Sequence, residues 1–174
     1  MCIRDRIEQE FGREVCALLQ EHLQELSSES PPESMHALPL DDLKHSDITF
    51  WCAWQEPSLN KEVIEAAGGS GFSGEPKGLM GFVALKQLTQ KHAELKSMRT
   101  HRMHKRQGVA SALLEEVLRV ALSRGYQKVS LETGTMTSFQ PAIALYKRFG
   151  FELCTPFADY REDPNSCFMS RLLD

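Results

Sequence analysis

The hexapeptide Lys105-Arg106-Gln107-Gly108-Val109-Ala110 constrains this chain more than any other stretch, because it follows an apolar strand and opens an amphipathic helix. Backbone N–H groups at the start of a helix lack intrahelical partners, and together with the helix dipole they favour an anion there. Gly108 and Ala110 leave the backbone bare enough for phosphates to approach, while Lys105 and Arg106 add positive charge. Val109, Leu113, Leu114, Val117, Leu118 and Ala121 then recur at helical spacing, and Arg124-Gly125 supplies a cationic last turn and a glycine stop. The segment reads as a pyrophosphate cradle on a helix that docks on a core.

Taken alone, such a hexapeptide is equally a solvated loop with a permissive turn, and its flanks decide between the two. Residues 93–100 read as a strand upstream and residues 128–133 as another downstream. A strand, a crossover helix and a strand form a right-handed unit with adjacent parallel strands, and such units bind ligands at the carboxyl ends of their strands. The cradle lies at that end.

On these residues the chain resembles the GNAT superfamily of acetyl-CoA-dependent N-acetyltransferases, over residues 48–173. The family's cofactor signature is Arg or Gln, two residues, Gly, any residue, then Gly or Ala; Lys105, Gly108 and Ala110 occupy those places, with Lys105 a departure beside Arg106. A second signature, Ala-x-x-Leu-Tyr followed by Gly-Phe, is matched by Ala142-Ile143-Ala144-Leu145-Tyr146 and Gly150-Phe151. Phe139 stands where many members carry asparagine. The turn expected at Leu131-Glu132-Thr133-Gly134 and the ending from Asp159-Tyr160 to Cys167-Phe168-Met169 look like a bacterial branch acting on small molecules.

The resemblance implies an α/β fold: a mixed, mostly antiparallel central sheet with a splayed parallel pair and helices on both faces. It also implies acetyl-CoA as cosubstrate, held by Met98, Arg99 and Thr100 along the strand and by Lys105, Arg106, Gln107, Gly108, Val109, Ala110 and Ser111 at the cradle. The pantetheine arm is expected to pair with the open backbone around Met98 to Thr100 as an added strand would. A backbone N–H near Met98 is expected to meet the thioester oxygen. Tyr146 matches the family tyrosine that faces the cofactor sulfur, where a phenol can donate a proton. Direct attack also needs a base for the amine, and two carboxylates compete. Glu94 lies eleven residues before Lys105, a position where some members place a catalytic glutamate, and Glu132 lies near the end of the next strand. Strand position favours Glu94. The acceptor, a small-molecule amine, is expected between residues 32–38, with Met35 and His36, and carboxyl-terminal strands around Asp159 and Tyr160. The alternative is a GNAT-like regulatory module that holds coenzyme A without turnover.

Length and charge narrow the remaining classes. A chain of 174 residues with 41% hydrophobic content fits one domain over residues 1–174. Its net charge of −4 gives no electrostatic reason to expect nucleic acid. No apolar run approaches the roughly 20 residues needed to span a bilayer and no signal-peptide pattern is seen, so a cytoplasmic monomer or homodimer away from membranes is expected. Five cysteines without a Cys-x-x-Cys suggest neither a disulfide framework nor a zinc site. His92, His101 and His104, lacking a carboxylate or cysteine at ligand spacing, are read as solvated or phosphate-adjacent, and no metal is expected.

The amino-terminal part carries weaker signals. Residues 1–6 look like translated sequencing-adaptor text, so they are expected to be non-native and the family's first strand to be missing. Ile7, Phe11, Val15, Leu18, Leu19, Leu23 and Leu26 make one helical face over residues 7–26, followed by a polar loop at 27–32. A shorter helix is expected near Asp41, and strands at residues 48–54 and 78–86. Gly69-Ser70-Gly71-Phe72-Ser73-Gly74 matches a dinucleotide-binding pattern by letter, yet it lacks the strand before and the helix after that the pattern needs, and reads as a loop.

Overall fold

A computed structural model of the protein describes residues 1–6, 12–29, 31, 36, 38–55 and 78–174. The glycine-rich pattern at 69–74, Met35, and the residues 7–11 at the start of the expected first helix lie outside them. In chain order the elements are β1 (Cys2–Arg6), α1 (Arg13–Glu29), β2 (Ile48–Trp54), β3 (Leu79–Gln87), β4 (His92–Thr100), α2 (Val109–Ser123), β5 (Lys128–Gly134), α3 (Gln140–Arg148), β6 (Glu152–Leu153) and β7 (Ser166–Leu172). The strands form one seven-stranded sheet ordered β1-β2-β3-β4-β5-β7-β6. Every neighbouring pair is antiparallel except β4 and β5.

Side-chain alternation along the strands divides the core in two. On β2, Trp51 and Ala53 join the core beneath α2 and α3, with Val109, Leu113, Leu114, Val117 and Tyr146. Phe50, Cys52 and Trp54 point to the other face, against Val15, Leu18 and Leu19 of α1. Successive strand residues face opposite sides, so a run of buried residues such as Phe50 to Trp54 feeds both layers at once. Helices therefore cover both faces of the sheet.

The parallel pair opens into a crevice. β4 and β5 pair from His92↔Lys128 to Leu95↔Leu131 and then part, although β4 continues to Thr100 and β5 to Gly134. A bulge on β4 marks the divergence. Ala84 pairs with Lys96 and Phe82 with Arg99, so Ser97 and Met98 oppose the single residue Val83. Ser97 takes a positive φ of 49° to accommodate the extra residue. Beyond the bulge β3 and β4 run close together: a Cβ on Gly81 would lie 2.6 Å from the Arg99 carbonyl oxygen and 3.2 Å from Val109. Only glycine fits there.

Several expectations are corrected. Cys2–Arg6 forms an edge strand, with Cys2 opposite Trp54, where no first strand was expected. An edge strand needs only a backbone ladder on one side, so its charged residues give no apolar signature. α1 continues through Ser27 and Ser28 to Glu29, because both hydroxyls bond carbonyls three residues back, at 2.8 and 2.7 Å, and remain compatible with the helix. The helix near Asp41 is a single 3₁₀ turn, Asp42–Lys44. The turn expected at Leu131 to Gly134 is the end of β5. Asp159 and Tyr160 sit in the connection between β6 and β7 rather than on strands.

Candidate active site

The cradle is built by backbone conformation. Arg106 has φ 62° and Gly108 φ 80°, both left-handed, on either side of Gln107. Alternation of this kind turns successive N–H groups toward one concavity, and α2 begins immediately afterwards at Val109. Among the described residues, neighbours in the chain aside, no atom lies within 4 Å of the Cβ that Gly108 lacks, which leaves room there for a ligand. Lys105 and Arg106 are exposed beside it. Gln107 is held by a hydrogen bond from its Nε2 to the Met103 carbonyl at 3.0 Å and lies 3.3 Å from His104 Nδ1. Val109 turns its side chain into the core, leaving its backbone for the cradle. Ala110 is half-buried, and the Ser111 hydroxyl faces Arg148 Nη2 at 3.4 Å. These residues suit a pyrophosphate-bearing cofactor.

From the cradle, the open half of β4 leads into the crevice. Met98 packs its side chain against the α2 face of the core. Thr100 pairs with Gly81, and Arg99 with Phe82, so this stretch keeps β3 on one edge and is free of β5 on the other. The Arg99 side chain turns away from the cradle to α1, where it meets Glu25 at 2.5 Å and Glu21 at 3.6 Å. Any contribution of Arg99 to the cofactor is therefore through its backbone.

Between the diverging strands lies a cleft of about 130 Å³ whose lining includes His22, Ser97, Met98, Glu132, Phe139 and Tyr146. Tyr146 is buried, and its hydroxyl faces the Met98 sulfur at 3.9 Å, a weak acceptor. Burial and the nearby Glu132 push its pKa well above the usual phenol value, so it stays protonated. Glu132 accepts a hydrogen bond from Ser166 Oγ at 2.7 Å, yet burial raises its pKa above the ordinary carboxylate value. The Phe139 ring is pressed against Gly134, where a Cβ would stand 2.6 Å from it, and so forms a wall of the cleft.

A second, larger cavity of about 700 Å³ adjoins the first, with His36, Glu94, Lys96, Asp159 and Tyr160 in its lining. Here Glu94 is buried in a network: Tyr160 Oη donates to it at 2.5 Å and Lys96 Nζ lies 3.3 Å away. Lys96 also donates to Tyr160 Oη at 2.7 Å and to the His36 carbonyl at 2.9 Å. The His36 and Tyr160 rings meet edge to face, with centroids 4.9 Å apart. Asp159 is exposed at the rim. His36 and Lys96 line both spaces, so the cavity and the cleft share a wall at these residues.

The structure thus gathers the sequence-predicted residues into three groups: a cradle, a cleft with Tyr146 and Glu132, and a cavity with Glu94, His36, Asp159 and Tyr160. Sequence reasoning did not single out Lys96, His22 or Ser97. A histidine on the apolar face of α1, four residues after Leu18, was the signal for His22. Of the other histidines, His92 Nε2 lies 2.7 Å from Ser130 Oγ and His101 caps a 3₁₀ turn at Arg102–His104.

Comparison with known proteins agrees with this geometry. The model of the acetyltransferase (GNAT) family matches residues 15–151. The chain is 46% identical over 168 residues to the uncharacterized N-acetyltransferase YsnE of Bacillus subtilis, covering 97% of this chain and 98% of the relative. It is 42% identical to the uncharacterized N-acetyltransferase YedL of Escherichia coli, covering 91% of this chain and 87% of the relative. A GNAT family acetyltransferase from Elizabethkingia anophelis, solved with acetyl-CoA bound, superposes with a TM-score of 0.61 at 16% identity, covering 99% of this chain and 97% of that one. The chain belongs to the GNAT family and is an acetyl-CoA-dependent N-acetyltransferase.

Proposed function

We propose that this enzyme acetylates the amine of a small molecule by direct attack of the amine on the thioester, with no acetylated enzyme group between. The observation that carries the reading is that one cleft, bordered by a larger polar cavity, holds both a buried phenol that stays protonated and a half-buried carboxylate. Acetyl-CoA supplies an activated acyl group when its phosphates rest on residues 105–111 and its arm lies along the free edge of Met98 to Thr100.

Within that frame each residue has one task. As the nitrogen forms its bond to the acyl carbon and the carbon–sulfur bond breaks, Glu132 takes the amine proton through a water and Tyr146 gives its own proton to the departing sulfur. Solvent then returns a proton to Tyr146 and removes one from Glu132, so the residues end as they began. Two observations support Glu132 over Glu94 as the base. Glu132 lines the same cleft as Tyr146, and its pKa is raised toward the range in which a carboxylate accepts protons well. Glu94 is instead tied to Lys96 and Tyr160 in the wall of the larger cavity, where it orders the acceptor's surroundings. Glu94, Asp159, Glu162 and Asp163 line that cavity beside Lys86, Lys96 and Arg161, a small acidic excess that suits a cationic amine arriving from solvent.

The test is thiol release from acetyl-CoA with a panel of amino acids, polyamines and aminoglycosides, followed by mass spectrometry of the product. A product heavier by one acetyl group, formed with sequential rather than ping-pong kinetics, is expected. Ping-pong kinetics, or release without any acetylated amine, overturns the reading.

A further inference from the structure

Two buried polar atoms of the cleft, Nδ1 of His22 and Oγ of Ser97, have no hydrogen-bond partner among the described residues. His22 is 8% exposed, and both residues line the cleft together with Tyr146 and Glu132. A buried polar group left unpaired costs about 1–3 kcal/mol, so two such atoms in one cleft mark where a ligand's polar atoms belong.

Their position says which ligand. His22 comes from α1, which packs on the sheet face opposite the one that carries α2 and its cradle. A group reaching His22 therefore belongs to the acceptor's side, where His36 and Lys96 line both the cleft and the larger cavity. The chemistry is also specific. Burial and the neighbouring Arg99 guanidinium lower the His22 pKa to about 4, so the imidazole is uncharged at neutral pH. Arg99 is itself held by Glu25 and Glu21 on α1. An uncharged imidazole and a hydroxyl accept N–H hydrogen bonds without repelling an incoming amine.

Resting on the proposed amine acetylation, we infer that His22 and Ser97 receive the N–H groups of the attacking nitrogen in the cleft they share with Glu132, so that the enzyme selects a primary amine on an unbranched carbon. The neutral nitrogen of a primary amine has two N–H groups for these two acceptors, one of which passes its proton to Glu132 through a water as the bond to carbon forms, and an N-methyl group leaves one acceptor unpaired. Leu26, Leu95, Met98, Phe139 and Ala142 give this cleft of about 130 Å³ an apolar part of its lining, which suits a straight alkyl stem better than a branched one.

The experiment uses n-butylamine as a stem that fits the cleft alone, with N-methylbutylamine and tert-butylamine as controls, in the acetyl-CoA thiol-release assay. Wild-type enzyme is expected to use n-butylamine at least tenfold better than N-methylbutylamine and to leave tert-butylamine unreacted. His22→Phe keeps an aromatic ring against Phe82 and should raise the n-butylamine KM about tenfold or more, with the acetyl-CoA KM unchanged. His22→Asn, which restores a polar atom, should recover most of the loss, and Ser97→Ala should raise the amine KM several-fold. Thermal melting confirms that each variant is folded. Equal use of the primary and secondary amines overturns the inference, as does an unaltered amine KM in folded His22→Phe. So does failure of n-butylamine while a larger amine of the panel is acetylated. If no amine is acetylated although acetyl-CoA binds, it is the proposed function that falls, and the inference with it.

Discussion

Tyr146 and Glu132 share a cleft, and burial raises the pKa of both; in the proposed mechanism the phenol is the donor and the carboxylate the acceptor. A phenol held in its protonated form remains a donor throughout the working pH range. Tyr146→Phe keeps the ring packing against Phe151 and removes the hydroxyl, so kcat should fall about 10- to 100-fold with coenzyme A affinity unchanged. Steady-state kinetics beside calorimetry checks this, and wild-type kcat removes the acid role. For Glu132 the same burial has a stability consequence. Its folded-state pKa lies above the ordinary 4.5, so the folded chain holds that proton more tightly than the unfolded one, and stability falls as pH rises through the raised value. Glu132→Gln can still accept the Ser166 hydrogen bond while escaping this loss. It should melt higher than the parent at pH 7, with the gap closing toward pH 4, even as its rate of amine acetylation falls. A lower melting temperature at pH 7 contradicts this account of Glu132. Tyr146 was legible in the sequence because its neighbours form a local motif. His22, Ser97 and Lys96 were not, since their surroundings come from other elements: Lys96, for example, bonds the His36 carbonyl and Tyr160.

At the scale of elements, local pattern explains what could be read. β4, α2 and β5 follow from apolar periodicity with a glycine at each helix boundary, and the structure adds that Gly108 and Gly125 both have positive φ. The bulge at Ser97 and Met98 left no trace in the sequence, because it is a matter of how β4 registers against Gly81 and Phe82 of β3. The connection between β6 and β7 was misread as strand for a similar reason: Phe157 and Tyr160 are apolar enough for a strand, but they pack on each other and on Phe168 instead of entering a ladder. The start of α2 gives a prediction of its own. Gly108→Ala places a side chain in left-handed backbone, at a cost of about 1–2 kcal/mol, but meets no protein atom within 4 Å. The fold should survive with a modestly lower melting temperature, while the added methyl stands in the cradle and weakens coenzyme A binding tenfold or more by calorimetry. Unchanged affinity in the folded variant would remove the phosphates from this site.

The whole molecule places α1 and its charges on one sheet face and the cradle on the other, with the crevice between β4 and β5 connecting them. That layout buries one histidine deeply, and the consequence is a stability profile that belongs to the entire fold. His22 binds its proton with a pKa of about 4 in the folded state against 6.5 ordinarily, because burial and Arg99 disfavour the imidazolium. Between those values the unfolded chain holds more protons than the folded one, so stability rises as pH rises from 4 to 6.5 and is lost on acidification through the same window. The full difference amounts to about 3 kcal/mol. His36 and His92, whose pKa values are lowered chiefly by burial, act in the same direction from more exposed positions. Glu25 and Glu116, whose pKa values are lowered by hydrogen bonds from Arg99 and Arg119, lose their contributions further down, as pH falls below the ordinary carboxylate value of 4.5. Acid destabilisation should thus begin near pH 6.5, before the paired carboxylates titrate, and His22→Phe should flatten the profile between pH 6.5 and 4.5. Melting temperatures of both proteins measured in steps across that interval decide the matter. A flat wild-type profile, or an identical slope in the variant, would mean that the histidine facing the cleft from α1 is not the uncharged group on which amine selection rests.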